Sequence, residues 1–211
     1  MAAVRRNSAD VLLDAASALM VERNTVNITF ADIAGRSGLN SALIHYRFGG
    51  KTGLFRALLE RDAGGTVSDL EALLVADMPA IEKLRAHVRS IIDTYHRYPY
   101  LNRLITALAV ESDSDTARFI ADRFTSPMAA AQRAILEQGL AEGTFRPVDP
   151  MLFYFALIGA CDHLFNARHS LTFTFGVHDI DESLSRRYAD HINSIVLAGV
   201  LTPLAVAEGH A

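Results

Sequence analysis

Between Ser41 and Lys51 the chain sets out a group of side chains suited to nucleic acid: Ser41, Ala42, His45, Tyr46, Arg47 and Lys51. Each type has a defined use. Ser41 and Ala42 are small enough to let a backbone approach base edges, and an alanine methyl can touch the methyl of thymine. His45 can donate or accept at a base edge, Tyr46 offers a hydroxyl to phosphate, and Arg47 can pair with phosphate or bidentately with guanine. Lys51 follows Gly49-Gly50 at the expected start of another helix, where its amine and that helix's first free N–H groups would together hold a phosphate. A solvated helix face more often carries Glu, Lys and Gln, so this mixture favours function.

A second set of polar groups sits inside apolar helical stretches. Tyr95, His96 and Tyr98 share one segment, and Asp162, His163, Asn166 and His169 follow the run MLFYFALIGAC. Asp162, Asn166 and His169 are spaced i, i+4 and i+7 and so share a helix face. Tyr95, Asp162, His163 and Asn166 are expected to converge on a cavity for a small molecule, because polar groups in so apolar a setting need partners. Metal is not expected: His163 and His169 are six apart, Cys161 is two from His163, and neither spacing is the i, i+4 pair of a helical zinc site. No cofactor signature is found. Catalysis is the competing class, yet Gly-x-Ser-x-Gly, a phosphate loop and His-Glu-x-x-His are all missing. What remains of it is an all-helical hydrolase using Asp162 and His163 as acid and base. A purely structural helical module is a third reading.

The elements that must position the first set are a helix, a turn and a helix. Thr29 and Asp32 have the spacing of a capping box, which starts a helix over about Phe30 to Ser37. Ala34 is small where a second helix must cross closely. Gly38 supplies the left-handed residue of a sharp turn. Leu39 and Ile44 anchor the turn, with Asn40 or Ser41 as cap of the second helix and Phe48 at its end. Small residue, turn glycine and inward aliphatic at these offsets describe a helix-turn-helix, whose second helix enters the major groove.

Residues 11–58, through VLLDAASALMVERN, ITFADIAGRSGL and ALIHYRFGGKTGLFRALL, resemble the N-terminal DNA-binding domain of TetR-family transcriptional regulators. The resemblance is close over the first quarter of the chain and extends through the rest in helix count and size. It implies DNA contacts at Thr29, Ser41, Ala42, Leu43, His45, Tyr46, Arg47 and Lys51. It also implies a helix-turn-helix domain over 1–50 and a larger helical regulatory and dimerisation domain over 51–211. The corresponding function is a ligand-responsive repressor that binds a palindromic operator as a homodimer and is released by a small molecule. Three departures bear on the operator sequence rather than on docking. Ser41-Ala42-Leu43 stands where the family often has Lys-Gly-Thr, His45 stands where it usually has Tyr, and Gly50 replaces a capping Ser.

The whole chain fits this reading. Its 211 residues allow one large or two small domains with a sizeable core. Half are hydrophobic and 21% charged, which is globular rather than disordered. No apolar run reaches the roughly 18–20 residues of a membrane span, no apolar stretch follows the N-terminal arginines as in a secretory signal, and one cysteine, Cys161, suits a reducing cytoplasm. The net charge of −4 hides an asymmetry: residues 1–51 hold six Lys/Arg against four Asp/Glu, and the remainder fourteen against twenty. The positive balance lies where phosphates would be met.

Helical periodicity runs throughout, and the fold is expected to be all-α. A helix spans 8–23. A long helix from Lys51 is expected to kink or break at Gly64-Gly65 and to continue to Val75. Pro79 starts another, running to about Tyr98, and one follows over 100–111. ESDSDT at 111–116 reads as a loop before helix resumes to Gly139–Gly143. Asp149-Pro150 starts an apolar helix to about His169, and a last helix runs from about Ile180 to Leu201. Between them LTFTF at 171–175 reads as a loop, although its Phe173/Phe175 alternation also allows a strand or an arm packing on a partner subunit. The 150–169 helix is apolar on every face, and the last helix has a stripe of Tyr188, Ile192, Ile195, Val196, Gly199 and Val200. Two such helices from each of two copies would form a four-helix dimer interface.

Overall fold

In the computed structural model the described residues are 7–111, 114–207 and 209. The described residues are all-α, with a single β bridge, Phe145 to Leu201. They form two compact units: Met1–Gly64 with Tyr98–Ile120, and Gly65–Arg97 with Ala121–Ala211. The start of the long helix and a later segment pack with the N-terminal helices, because the buried contacts of those segments are made there.

In the first unit, α1 (Ser8–Arg23) starts on Asn7, whose side chain accepts from the Ala9 N–H at 3.3 Å. It buries Leu12, Ala16 and Met20 completely. It stops at Asn24, a left-handed residue with φ 48° whose N–H returns to the last carbonyls. Next come α2 (Phe30–Ser37), α3 (Ala42–Phe48) and α4 (Lys51–Val75). α6 (Leu101–Glu111) and α7 (Ser114–Ile120) complete the unit, and α5 lies between α4 and α6 in the chain. A polar cluster ties α1 and α4 to the turn that precedes α6. The Tyr100 hydroxyl bonds to the Asp62 carboxylate and to Ser17 Oγ, and Arg61 holds both Asp62 (2.6 Å) and Asp14 (2.9 Å). Arg103 reaches the carbonyl and side chain of Asn24, each at 2.5 Å, so α6 grips the end of α1.

The second unit contains α5 (Ala80–Arg97), α8 (Ser126–Ala141), α9 (Pro150–Asn166), α10 (Arg168–Phe175), α11 (Glu182–Val200) and α12 (Pro203–Ala207), with a π-helical turn, Ala121–Thr125, leading into α8. α5 is strongly amphipathic and buries Leu84, Val88, Ile91 and Ile92. The Glu142 carboxylate accepts from the Ala80 N–H at 3.0 Å and so caps α5 from the far end of α8. Asp149 and Asp181 cap α9 and α11 in the usual way.

Several expectations need correction. α4 is unbroken through Gly64-Gly65; buried Leu58 and Leu59 before the pair and Val67 and Leu70 after it fix the helix on both sides. Pro79 precedes α5 rather than lying in it. Ser114 to Thr116, expected as loop, begins α7, while positions 112–113 lie outside the described residues. LTFTF is neither loop nor strand but the body of α10. Gly176, at φ 67°, closes that helix with an N–H to Leu171 O, and Val177 N–H bonds the same carbonyl at 2.9 Å. Two N–H groups returning to one carbonyl through a left-handed glycine favour helix over the Thr/Phe alternation. α9 ends at Asn166, not His169, because Ala167 leaves the helical region. The last long helix starts at Glu182, and the short α12 was not foreseen.

Candidate nucleic-acid interface and effector site

α2 and α3 are positioned by side chains that face α1. Ile28, Ile33 and Ile44 are buried beneath them. Gly38 turns the chain at φ 70°, and its N–H closes on Ala34 O at 2.9 Å. The Thr29–Asp32 capping box is present in both directions: Thr29 Oγ1 accepts from the Asp32 N–H at 3.1 Å, and Asp32 Oδ2 accepts from the Thr29 N–H at 2.9 Å. Asp32 is pushed down to about 2, first by the Thr29 hydroxyl, then by the Thr29 N–H and Arg23. On the outer side of α1, Arg23 pairs with Asp32 at 2.9 Å, and Arg36 makes a two-pronged pair with Glu22 at 2.6 Å. Hydrogen bonding to Arg36 lowers the Glu22 carboxyl.

α3 turns Ile44 inward and presents Ala42, His45, Tyr46 and Arg47 outward; Ser41 and Leu43 are half-buried. Ser41 is the capping position by backbone, but the side chain that caps is Asn40, accepting from the Ala42 N–H at 2.8 Å. Tyr46 is 80% exposed, with Arg47 stacked over its ring at 5.7 Å and bonded to Ser8 Oγ at 3.1 Å. His45 meets Phe30 edge-on at 5.0 Å, which holds the imidazole at the α2–α3 junction. Lys51 stands exposed at the first position of α4, over the Phe55 ring at 5.3 Å.

The ion pairs sharpen the weak charge asymmetry of the sequence. Glu22 and Asp32 are held by Arg36 and Arg23, and Asp14 by Arg61. Arg47 and Lys51 have no carboxylate partner among the described residues, so the positive potential is concentrated at α3 and the start of α4. Thr29 is placed differently from the other expected contacts. Its hydroxyl already donates to Asp32 Oδ2 at 2.5 Å and accepts from the Asp32 N–H. It therefore has no proton left for a phosphate unless the cap opens.

The first turn of α4 carries a residue that sequence reasoning missed. A Cβ on Gly53 would lie 1.8 Å from the Phe48 carbonyl oxygen, so glycine is required there. The signal was a third glycine close behind Gly49-Gly50 in an otherwise helical stretch.

In the second unit, Tyr95 and Asp162 are buried and Asn166 half-buried. The Asn166 amide donates to Asp162, while its Oδ1 is buried without a hydrogen-bond partner. Burial, then the Asp162 charge, raises the Tyr95 phenol. These three come together between α5 and α9. His163 does not join them; one residue on from Asp162, it is exposed on the other side of α9. Asp162 and His163 consequently form no acid–base pair, since neighbours on a helix do not face each other. Next to Tyr95 on α5, His96 Nε2 lies 2.8 Å from Ile180 O and lines a polar cleft with Asp93, Arg97, Glu182, Ser185 and Arg186. Tyr188, expected on the dimer stripe, instead bonds to Ala160 O and packs edge-on against Phe165 in its own chain. Among the described residues no group of His, Cys, Asp and Glu could hold a metal ion, and no helix is long and apolar enough to cross a membrane.

Two family models match the chain: one described as bacterial regulatory proteins, tetR family, over residues 12–58, and one described as Tetracyclin repressor-like, C-terminal domain, over 77–206. No curated protein matches in sequence. Among solved structures, the ketosteroid transcriptional regulator KstR2 of Mycobacterium tuberculosis is 19% identical, with a TM-score of 0.68 over 93% of this chain and 96% of that one. FadR from Bacillus subtilis, in complex with stearoyl-CoA, is 16% identical, with a TM-score of 0.65 over 90% and 98%. The TetR family transcriptional regulator PfmR from Thermus thermophilus is 22% identical, with a TM-score of 0.66 over 90% and 96%. At these identities the likeness is one of fold.

Proposed function

Because this chain belongs to the TetR family of bacterial regulatory proteins, a family of DNA-binding, ligand-responsive regulators, we propose that it is a cytoplasmic repressor whose homodimer holds a palindromic operator and lets go when a small molecule binds. The observation that carries the DNA-binding half is the outward face of α3, with Ile44 turned in and Ala42, His45, Tyr46 and Arg47 turned out. Two such helices, related by a two-fold axis, read two half-sites one helical turn apart. In each half-site Ala42 and His45 face bases, with half-buried Ser41 and Leu43 at the near edge of the groove. Tyr46 and Arg47 meet the phosphate backbone. Lys51 and the first free N–H groups of α4 clamp a further phosphate. Thr29 acts through its cap, fixing where α2 begins.

The effector half rests on Tyr95, Asp162 and Asn166, the polar groups that meet inside the second unit. His163 is left out of that site by its exposure. Two of the solved relatives are a ketosteroid transcriptional regulator and a regulator in complex with stearoyl-CoA. An apolar molecule carrying a few hydrogen-bonding groups would suit these residues equally well, with the unpaired Asn166 Oδ1 accepting from it. α4 belongs to both units, Lys51–Gly64 to one and Gly65–Val75 to the other. It is therefore the element through which binding in one unit would shift the recognition helices in the other. The ligand acts only through its differential affinity for the two states.

The test is a pair of substitutions read on an operator selected from random duplexes. Lys51→Ala is expected to weaken binding to every duplex and reduce the salt slope by about one unit, as for one lost phosphate contact. His45→Ala is expected to change sequence preference while leaving the slope as it was. Two variants that bind like the parent would remove α3 from the groove.

A further inference from the structure

α10 has eight residues and none of them is buried. Phe173 and Phe175 are 83% and 72% exposed, and the ring contact Phe173 makes is a stack on His169 of the same helix, at 6.2 Å. A helix this short, isolated in water, is unstable without an apolar face to cover it. At the other end of α9 lies a mostly apolar cleft of about 300 Å³, lined by Thr125, Ala129 and Arg133 on one side and Met151, Tyr154 and Phe155 on the other. Met151 and Phe155 are themselves exposed. The chain therefore shows an uncovered aromatic arm at the C-terminal end of α9 and an open apolar cleft at its N-terminal end.

The middle of α9 explains how the two could meet. α9 has 17 residues, about 25 Å of helix. Near its centre the exposed face narrows to Ala156 and Gly159, and a Cβ added at Gly159 would meet nothing within 4 Å. Small residues there permit a close helix crossing. A two-fold axis through that point would pair α9 with its own copy head to tail and would bring each arm towards the other copy's cleft.

We propose that α10 is an exchanged arm: Phe173 and Phe175 of each subunit fill the partner's cleft between the π-helical turn, α8 and α9. This rests on the homodimer proposed above and adds contacts that α9 and α11 alone would not make. The arrangement is isologous, with arm and cleft each used twice, so it closes at two subunits. Arg133 at the rim sits where a guanidinium can lie over an incoming phenyl ring. The cleft also borders Thr125, the last residue of the π-helical turn. An occupied cleft would thus brace that turn from the partner's side.

The experiment mixes full-length Ala129→Cys protein with full-length Phe173→Cys protein, oxidises the sample mildly, and separates it without reductant. The native Cys161 is an inert control, because it is buried and its thiol is pushed up to about 12 by burial. A covalent dimer is expected in the mixture and in neither variant alone. Dimers by light scattering without a covalent band would overturn the arm exchange and leave the dimer standing. Monomers by light scattering in the unsubstituted protein would overturn both. Should Ala129→Cys fail to fold, Phe173→Ser/Phe175→Ser is read instead. Both positions are open to solvent within one chain, so folding should be intact, and the dimer dissociation constant should rise by about tenfold or more. An unchanged constant there also overturns the exchange.

Discussion

At the scale of single residues, two positions show how far contacts decide what composition leaves open. Gly53 lies so close to the Phe48 carbonyl that an added Cβ would sit 1.8 Å from the oxygen, and a backbone carbonyl cannot swing aside as a flexible side chain can. Gly53→Ala should therefore destabilise the first unit by about 1–3 kcal/mol and displace Lys51 with it. Thermal melting and operator binding should fall together, and a melting curve like the parent's would mean the turn can relax. His87 is buried on α5, with Nε2 3.1 Å from Gln132 Nε2, and burial lowers it from 6.5 to about 4. The sign follows from proton binding: between those values the unfolded chain holds the proton and the folded chain does not, so stability falls as pH drops from 6.5 towards 4 and is complete above 6.5. The slope approaches about 1.4 kcal/mol per pH unit within that window. His87→Asn should flatten it, as melting from pH 7 to pH 4 would show; an unchanged slope would assign the acid sensitivity to other groups.

At the scale of elements, α2 and α4 carry the argument. Thr29 was expected to touch DNA, yet its hydroxyl and N–H are both engaged with Asp32. Thr29→Ala should thus cost about 1 kcal/mol as a lost cap, with weaker operator binding following from a shifted α2, whereas Thr29→Ser should restore both. Rescue of stability without rescue of binding would point instead to a direct contact through the threonine methyl. In α4, Gly64 and Gly65 have open space where a Cβ would go and occupy a continuous helix at the division between the two units. Replacing both with Ala should stabilise by about 1 kcal/mol per site. If bending at this pair transmits the effector signal, the stiffened protein should keep its operator affinity and lose part of its response. A response equal to the parent's would place the coupling elsewhere.

At the scale of the whole molecule, the apolar surface left uncovered by one chain is the most consequential feature. Met151, Leu152 and Phe155 on α9 and Ile195 on α11 are exposed, while Ile192 and Val200 of the expected stripe are buried within the subunit. Only part of that stripe is thus available to a partner. Gly199 is among the available positions: it is half-buried and a Cβ there would meet nothing within 4 Å. Gly199→Glu should fold normally as one chain but bring volume and an unpaired charge into a subunit interface. Light scattering should show monomer with helical content intact, and operator affinity should fall because two half-sites are no longer held together. A dimeric Gly199→Glu protein would move the interface off the last helix.

The sequence by itself determined the local events, because they depend on residues a few positions apart. The Thr29–Asp32 box, the turn at Gly38, the inward Ile44, the limits of α1 and the cap at Asp149 all follow from short-range hydrogen bonding and helical period. So did the outward set from Ala42 to Lys51, since a face left unburied is visible in the same periodicity. The tertiary structure alone decided which polar groups meet. Asp162 and His163 are neighbours in the chain, and only the packing of α5 on α9 shows that one is buried near Tyr95 while the other faces solvent. Tyr188 was read onto a dimer stripe because spacing cannot tell a partner's helix from α9 of the same chain. LTFTF alternates like a strand, yet a left-handed Gly176 closes it as helix, since backbone hydrogen bonds made on folding outweigh a weak β preference.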